Sequence, residues 1–179
     1  GTRWVRKINT FDSVEDLLET SHAMYRRDLW NNQDTHVEIW LEKDALAGVI
    51  NEVCQRHHVP LYVTRGYPSL SYLYEASETL KNTGKRNIIY HFGDYDASGQ
   101  DAARSIKDGL NHHNADFEFI QFAVTPQQIG DYQLQTRPSK TSDPRAKNFG
   151  DEAVELDAIE PVTLRAMVDH VIRQHINMK

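Results

Sequence analysis

Residues 87–110 read NIIYHFGDYDASGQDAARSIKDGL, and the two halves of this stretch obey different periods. From Asn87 to Phe92 the run is mostly apolar, the pattern of a strand buried on both faces. After the turn Gly93-Asp94-Tyr95-Asp96-Ala97-Ser98-Gly99, the residues Ala102, Ala103, Ile106 and Leu110 recur on one helical face. A strand, an acidic turn and a helix in that order form half of a βαβ unit.

The same order recurs upstream. His36 to Leu41 alternates and then runs apolar until Glu42, and Leu46, Val49, Ile50 and Val53 mark the face of a following helix. Val59 to Thr64 predicts a second strand, Arg65-Gly66-Tyr67-Pro68 a turn, and Ser69 to about Lys81 a helix closed by Asn82-Thr83-Gly84. Phe117 to Val124 predicts a fourth strand. Strands alternating with helices imply right-handed crossovers, hence an α/β fold: a Rossmann-like, four-stranded, mostly parallel sheet flanked by helices.

Two segments flank this unit. Val14, Leu17, Leu18, Met24 and Tyr25 predict an amphipathic helix over about 13–27, and Pro161 opens a helix whose inner face is Leu164, Met167, Val168, Val171 and Ile172. The expected organisation is therefore an N-terminal helical extension over 1–35, reading as the end of an upstream domain. An α/β domain over 36–124 follows, then a basic loop and C-terminal helix over 125–179 packed on it. The pairs His57-His58 and His112-His113 fall at helix ends, where the dipole favours cations.

A length of 179 residues suits one ordinary domain, and 39% hydrophobic with 26% charged residues is a composition that packs a core. No run approaches the roughly 18 apolar residues that cross a bilayer, so no membrane partner is expected and the reading is a soluble, cytoplasmic protein. Cys54 stands alone, which excludes an internal disulfide and a thiolate-cluster zinc site. The net charge of -6 argues against a nucleic-acid partner, but residues 136–150, TRPSKTSDPRAKNFG, set Arg137, Lys140, Arg145 and Lys147 against Asp143 alone. That tract is a candidate DNA-backbone-contacting loop; a solvated loop is the plainer alternative.

Ligands of open parallel sheets bind beyond the carboxyl ends of the strands. With strand order 2-1-3-4, Glu42 after the first strand and Asp94 and Asp96 after the third converge on one crevice. Three carboxylates so close conflict unless a cation joins them, and hard oxygen ligands without Cys favour Mg²⁺ or Mn²⁺. The competing reading makes Asp94-Tyr95-Asp96 a turn, with Asp96 or Ser98 capping the next helix. Arg65 and Tyr67, following the second strand, reach the same edge as candidate DNA contacts, and Lys43 either meets phosphate or is solvated. His91 reads as a ligand or, more simply, as a sheet histidine satisfied by hydrogen bonds, and Glu155 and Asp157 as a further acidic group near the metal or, more simply, as acids that cap or decorate a helix.

Trp40-Leu41-Glu42-Lys43, Thr64-Arg65-Gly66-Tyr67-Pro68 and Phe92-Gly93-Asp94-Tyr95-Asp96-Ala97-Ser98-Gly99 together resemble the Toprim domain of topoisomerases, bacterial primases and OLD-type nucleases. The nearest likeness is to the topoisomerase VI A subunit and its meiotic relatives. It covers about residues 36–124, and Val154 to Pro161 looks like that subgroup's tail motif. The resemblance implies Mg²⁺-dependent strand cleavage, rejoining or nucleotidyl transfer. Glu42 would be general acid/base or metal ligand, and Asp94 and Asp96 metal ligands.

One departure is that the attacking tyrosine of that subgroup lies in a winged-helix domain ahead of the Toprim fold. Residues 1–35 have no room for one, and Tyr25 is their sole tyrosine. The expected partners are DNA and an upstream winged-helix domain or partner subunit, a homodimer being the simplest such assembly. Two other functions compete: a non-catalytic DNA- or protein-binding module of the same fold, and a small-molecule phosphatase, since Asp94-x-Asp96-x-Ser98 resembles the haloacid-dehalogenase nucleophile motif. That family carries its motif on the first strand, not the third.

Overall fold

The computed structural model describes residues 11–24, 29–138 and 152–177. Four strands form its centre: β1 (Thr35–Leu41), β2 (Leu61–Val63), β3 (Arg86–Phe92) and β4 (Glu118–Ala123). Their order is β2-β1-β3-β4, and every pairing is parallel. The helices are α1 (Val14–Met24), α2 (Ala47–Arg56), α3 (Leu70–Asn82), α4 (Ala97–His112), α5 (Pro126–Asp131) and α6 (Pro161–Arg173). The expected four-stranded parallel sheet flanked by helices is what the chain forms.

The two faces of the sheet divide the side chains of each strand by parity. Val37, Ile39 and Leu41 of β1 and Ile88, Tyr90 and Phe92 of β3 pack with Ile50 and Val53 of α2 and Leu164, Val168 and Val171 of α6. Trp40 and Ile89 point the other way, into Leu73 and Leu80 of α3 and Ile106 and Leu110 of α4. There Tyr62 stacks on Trp40 with ring centroids 4.7 Å apart, and Tyr72 meets Trp40 edge-on at 6.1 Å. Each buried Leu or Ile contributes about 1.5–3 kcal/mol by leaving water.

Helix starts follow local chemistry. Ser69 Oγ accepts the Tyr72 amide at 3.2 Å to open α3. Thr125 and Gln128 form a reciprocal capping box at α5, with Pro126 in its first turn. α5 was not expected: residues beyond Val124 read as irregular, yet Thr125-x-x-Gln128 carried the signal. α6 starts at the expected Pro161, and all five residues assigned to its inner face are buried.

Two differences follow from packing. Both sheet faces are already covered by α2 with α6 and by α3 with α4, and α1 leaves Val14 (66% exposed) and Leu18 (62%) to solvent. Tyr25 lies outside the described residues. His57 is held by more than a helix dipole, since its Nε2 pairs with Asp169 Oδ1 of α6 at 2.7 Å and so ties α2 to α6. A short antiparallel ribbon, β5 (Arg137–Pro138) with β6 (Glu152–Ala153), leads into α6. Lys140, Arg145 and Lys147 of the basic tract lie outside the described residues. Among the described residues no helix is long and apolar enough to cross a membrane.

Candidate metal centre

The register of β1 with β3 places the acids. Leu41 pairs with Phe92, so Glu42 stands opposite Gly93 one step beyond the ladder, and the Glu42 amide still donates to Phe92 O at 2.9 Å. Asp94 and Asp96 follow at once. Glu42 Oε2 accepts the Asp94 amide at 3.2 Å. Asp96 caps α4 by accepting the Gly99 amide at 2.7 Å, so the helix-cap reading of this residue is correct for one of its oxygens.

Two glycines make the approach of these groups feasible. A Cβ on Gly93 would stand 2.5 Å from Glu42 Oε2 and 2.6 Å from His91 Cε1, and one on Gly99 would stand 2.4 Å from Asp94 O. No side chain fits at either position without moving its neighbours.

The local electrostatics are those of acids in conflict. Burial, then the neighbouring charge of Asp94 and that of Asp96, push Glu42 from the usual 4.5 up to about 7, against a lowering by the Asp94 amide and Lys43. Asp94 is also raised, chiefly by burial, although the Leu156 amide and Lys43 pull it down. Each acid therefore favours a proton or a cation beside it.

A second group of charges, which the sequence reading left aside, closes one wall. An isolated antiparallel bridge joins Tyr95 to Val154, and the Leu156 amide donates to Asp94 Oδ1 at 2.7 Å. Residues 154–157 are thereby stitched to the acidic turn. Lys43 is paired as well as partly exposed: its ammonium donates to Glu155 Oε2 at 2.9 Å and Asp157 Oδ2 at 2.7 Å. Burial works against the Lys43 charge, but the bonds to Asp157 and Glu155 outweigh it and hold its pKa above the usual value. Arg137 pairs with Glu155 from outside. The Val154 to Pro161 stretch was the available signal for this wall; what Glu155 and Asp157 bind could not be read from it.

Of the other predicted residues, Arg65 and Tyr67 are each held by a neighbouring acid. Arg65 pairs with Asp44 at 2.8 Å, in the turn after Lys43, and Tyr67 OH donates to Asp101 of α4 at 2.5 Å. His91 departs from expectation. It is 1% exposed, its ring is stacked on Phe119 at 5.5 Å, and its Nε2 has no hydrogen-bond partner. Burial lowers its pKa to about 4, so the imidazole is neutral.

Among the described residues, no group of three or more His, Cys, Asp or Glu side chains is already arranged to hold a metal ion. Glu42, Asp94 and Asp96 each have one oxygen committed to a backbone amide. The second oxygen of each is outside these bonds. As a donor set, three carboxylates whose proton affinity is raised or which adjoin such acids suit a hard divalent cation, provided the side chains turn. None of the protein-family models and none of the curated proteins compared with the chain matches it.

Proposed function

We propose that the chain is a Mg²⁺- or Mn²⁺-dependent DNA-processing protein of the Toprim type, acting on phosphodiester bonds. One observation carries this reading: Glu42, Asp94 and Asp96 follow the ends of adjacent parallel strands, close enough that burial and the charges of Asp94 and Asp96 push Glu42 up to about 7. Glu42, Asp94 and Asp96 would hold the cation. When bound, it supplies a Lewis acid that orients a phosphate and stabilises the charge on attacking or leaving oxygen.

The chain's own groups supply the rest. If Asp94 and Asp96 hold the cation without it, Glu42, raised toward neutrality by burial and by Asp94, would be placed for general acid/base transfer to a departing or attacking oxygen; as a third ligand it would give that proton up to the cation. Lys43 and Arg137 place positive charge beside the acids, where an incoming phosphate otherwise meets only repulsion. Arg65 and Tyr67 offer a phosphate contact and a half-exposed aromatic face on the rim. Whether the nucleophile is water or a tyrosine from another segment is separated by the product: free ends in one case, a covalent protein–DNA adduct in the other.

The test pairs Mn²⁺ binding with nicking of supercoiled plasmid, for the wild type and Asp94→Ala. The expected outcome is loss of Mn²⁺ binding and at least a hundredfold loss of nicking in the variant; equal nicking by both proteins would end the assignment. A second reading, a binding module with an idle pocket, draws on the oxygens of Asp94 and Asp96 already spent on the Leu156 and Gly99 amides. Salt-sensitive DNA binding with no metal-dependent turnover would select it.

A further inference from the structure

We propose that the chain carries a separate binding site for a small phosphomonoester, in a basic cavity under the amino ends of β1, β2 and β3. This is the edge of the sheet opposite the acids, and the site shares no residue with the reaction proposed above.

The starts of three strands bring the site together. Trp30 precedes β1 and His36 lies at its start, His58 and Pro60 stand just ahead of β2, and Thr83 and Lys85 just ahead of β3. Because these strands are parallel neighbours, the segments that enter them meet at one edge and enclose a cavity of about 320 Å³. Its lining holds His36, His58 and Lys85 and no aspartate or glutamate. In a chain of net charge -6, three basic side chains without an acid among them are set apart from the rest of the surface.

Lys85 is the deciding group. Two lysines among the described residues are half-buried, Lys43 and Lys85. Lys43 is neutralised by Glu155 and Asp157. Lys85 has no carboxylate partner among the described residues; its ammonium donates to the carbonyl oxygen of Trp30, which occupies one of its three hydrogens. A half-buried ammonium without a counter-charge gains more from a nearby anion than an exposed one does, because water screens it less.

The histidines add directed donors. The His58 ring has no hydrogen-bond or ring partner among the described residues, and in either protonation state it offers an N–H. Its backbone holds φ 54°, a left-handed conformation that glycine would adopt more cheaply, so the turn carries an imidazole at some cost. His36 Nε2 meets Oε1 of the buried Glu38 at 3.1 Å, which fixes the ring and leaves Nδ1 for a ligand oxygen or hydroxyl. Neither Glu38 nor the exposed Asp34 lines the cavity.

These groups select the ligand class. A point-like ammonium and imidazole nitrogens arriving from three segments suit the tetrahedral oxygens of a phosphate, whereas a planar carboxylate is better matched by the fork of an arginine. The volume is at the lower end of sites that take small organic molecules, more than a bare phosphate fills, and Trp30, Val37 and Pro60 supply apolar wall for the rest. A phosphate ester of a small organic alcohol meets both requirements. At about 3.3 Å per residue, β1 holds His36 roughly 20 Å from Glu42, beyond the Debye length of about 8 Å, so the two sites act independently.

The experiment titrates ribose 5-phosphate, inorganic phosphate and ribose into the full chain by calorimetry, up to about 10 mM, and follows the same additions in ¹H–¹⁵N spectra. The variants are Lys85→Met, His58→Asn, which keeps a residue at ease in the left-handed conformation, and Lys107→Met, which removes an exposed charge elsewhere. Ribose 5-phosphate should bind about tenfold tighter than phosphate, and ribose not at all. Lys85→Met and His58→Asn should each weaken the ester about tenfold or more, Lys107→Met should leave it unchanged, and the shifted amides should centre on His36, His58 and Lys85. If Lys85→Met does not fold, His58→Asn decides. No binding of either phosphate compound, undiminished affinity in His58→Asn, an equal loss in Lys107→Met, or shifts centred on Asp94 and Asp96 overturns the site. Equal affinity for phosphate and its ester overturns the ester assignment.

Discussion

Glu38 within β1 and Glu42 just beyond its end stand four residues apart, and they have opposite fates. Glu38 is fully buried, yet both its oxygens are used: Oε2 accepts the Trp40 indole N–H at 2.8 Å and Oε1 meets His36 Nε2 at 3.1 Å. Aromatic rings surround it, and the Tyr62 phenol is raised to about 12 by burial first and then by the Glu38 charge. Glu42 lies nearer the surface, but it holds a single backbone hydrogen bond through Oε2 and faces two further acids. Burial alone therefore does not mark a functional carboxylate. What separates the two is whether the protein completes the hydrogen bonding or leaves it open.

The strongest way to break the comparison is to empty the completed site. Glu38→Ala leaves the Trp40 indole N–H unpaired inside the core and opens a void, and should cost on the order of 3 kcal/mol in urea unfolding. Metal affinity should be untouched in whatever fraction remains folded. A loss below 1 kcal/mol would mean that Glu38 contributes no more than an exposed acid.

The open site should respond in the reverse direction. Below pH 4.5 the Glu42 carboxyl is protonated in both the folded and unfolded chains. Between 4.5 and about 7 the folded protein keeps a proton that the unfolded chain has released, so folding takes up a proton and stability falls as pH rises through that window. Glu42→Gln should flatten this slope in metal-free protein and leave it more stable than wild type at pH 8, by about 1 kcal/mol once solvent screening is allowed for. Saturating Mg²⁺ should flatten the wild-type slope as well, because the cation replaces the proton. An identical pH dependence in wild type and Glu42→Gln would show that Glu42 ionises without penalty.

The smallest effect belongs to a pair remote from both. Asp169→Asn removes the acceptor that ties α6 to His57 of α2, and Asp169 is held below the usual carboxylate range chiefly by that hydrogen bond. A depressed pKa contributes stability above the unfolded value and loses it as pH falls. The variant should therefore unfold about 1–3 °C lower at neutral pH and converge with wild type in acid. Scanning calorimetry at pH 7 and pH 3 reads both ends.

The sheet was legible because β1 and β3 are apolar on both faces, and only a parallel strand covered on both sides needs that pattern. The acid trio was legible for a related reason: Glu42 and Asp94 each stand at the first polar position after such a run. The wall opposite was not. Tyr95 and Val154 meet through a single bridge, which leaves no periodicity, and the bond from Leu156 to Asp94 uses a backbone amide that every residue but proline carries. His91 was read as satisfied because pairing depends on neighbours from β1 and β4 that its own strand does not reveal. His57 with Asp169, 112 positions apart, failed for the same reason.

The bond between the Leu156 amide and Asp94 also bears on biogenesis. Glu42 is 52 positions before Asp94, and Leu156 is 62 positions after it. At roughly 5–20 residues per second, a nascent chain carries its acids for about 3–12 s before the amide that restrains Asp94 is made. During that interval the parallel sheet is able to assemble while the crevice stays unformed. The restraint on Asp94 thus arises only after residues 154–156 have emerged, and a product truncated before Val154 would lack that restraint together with α6, which covers one face of the sheet.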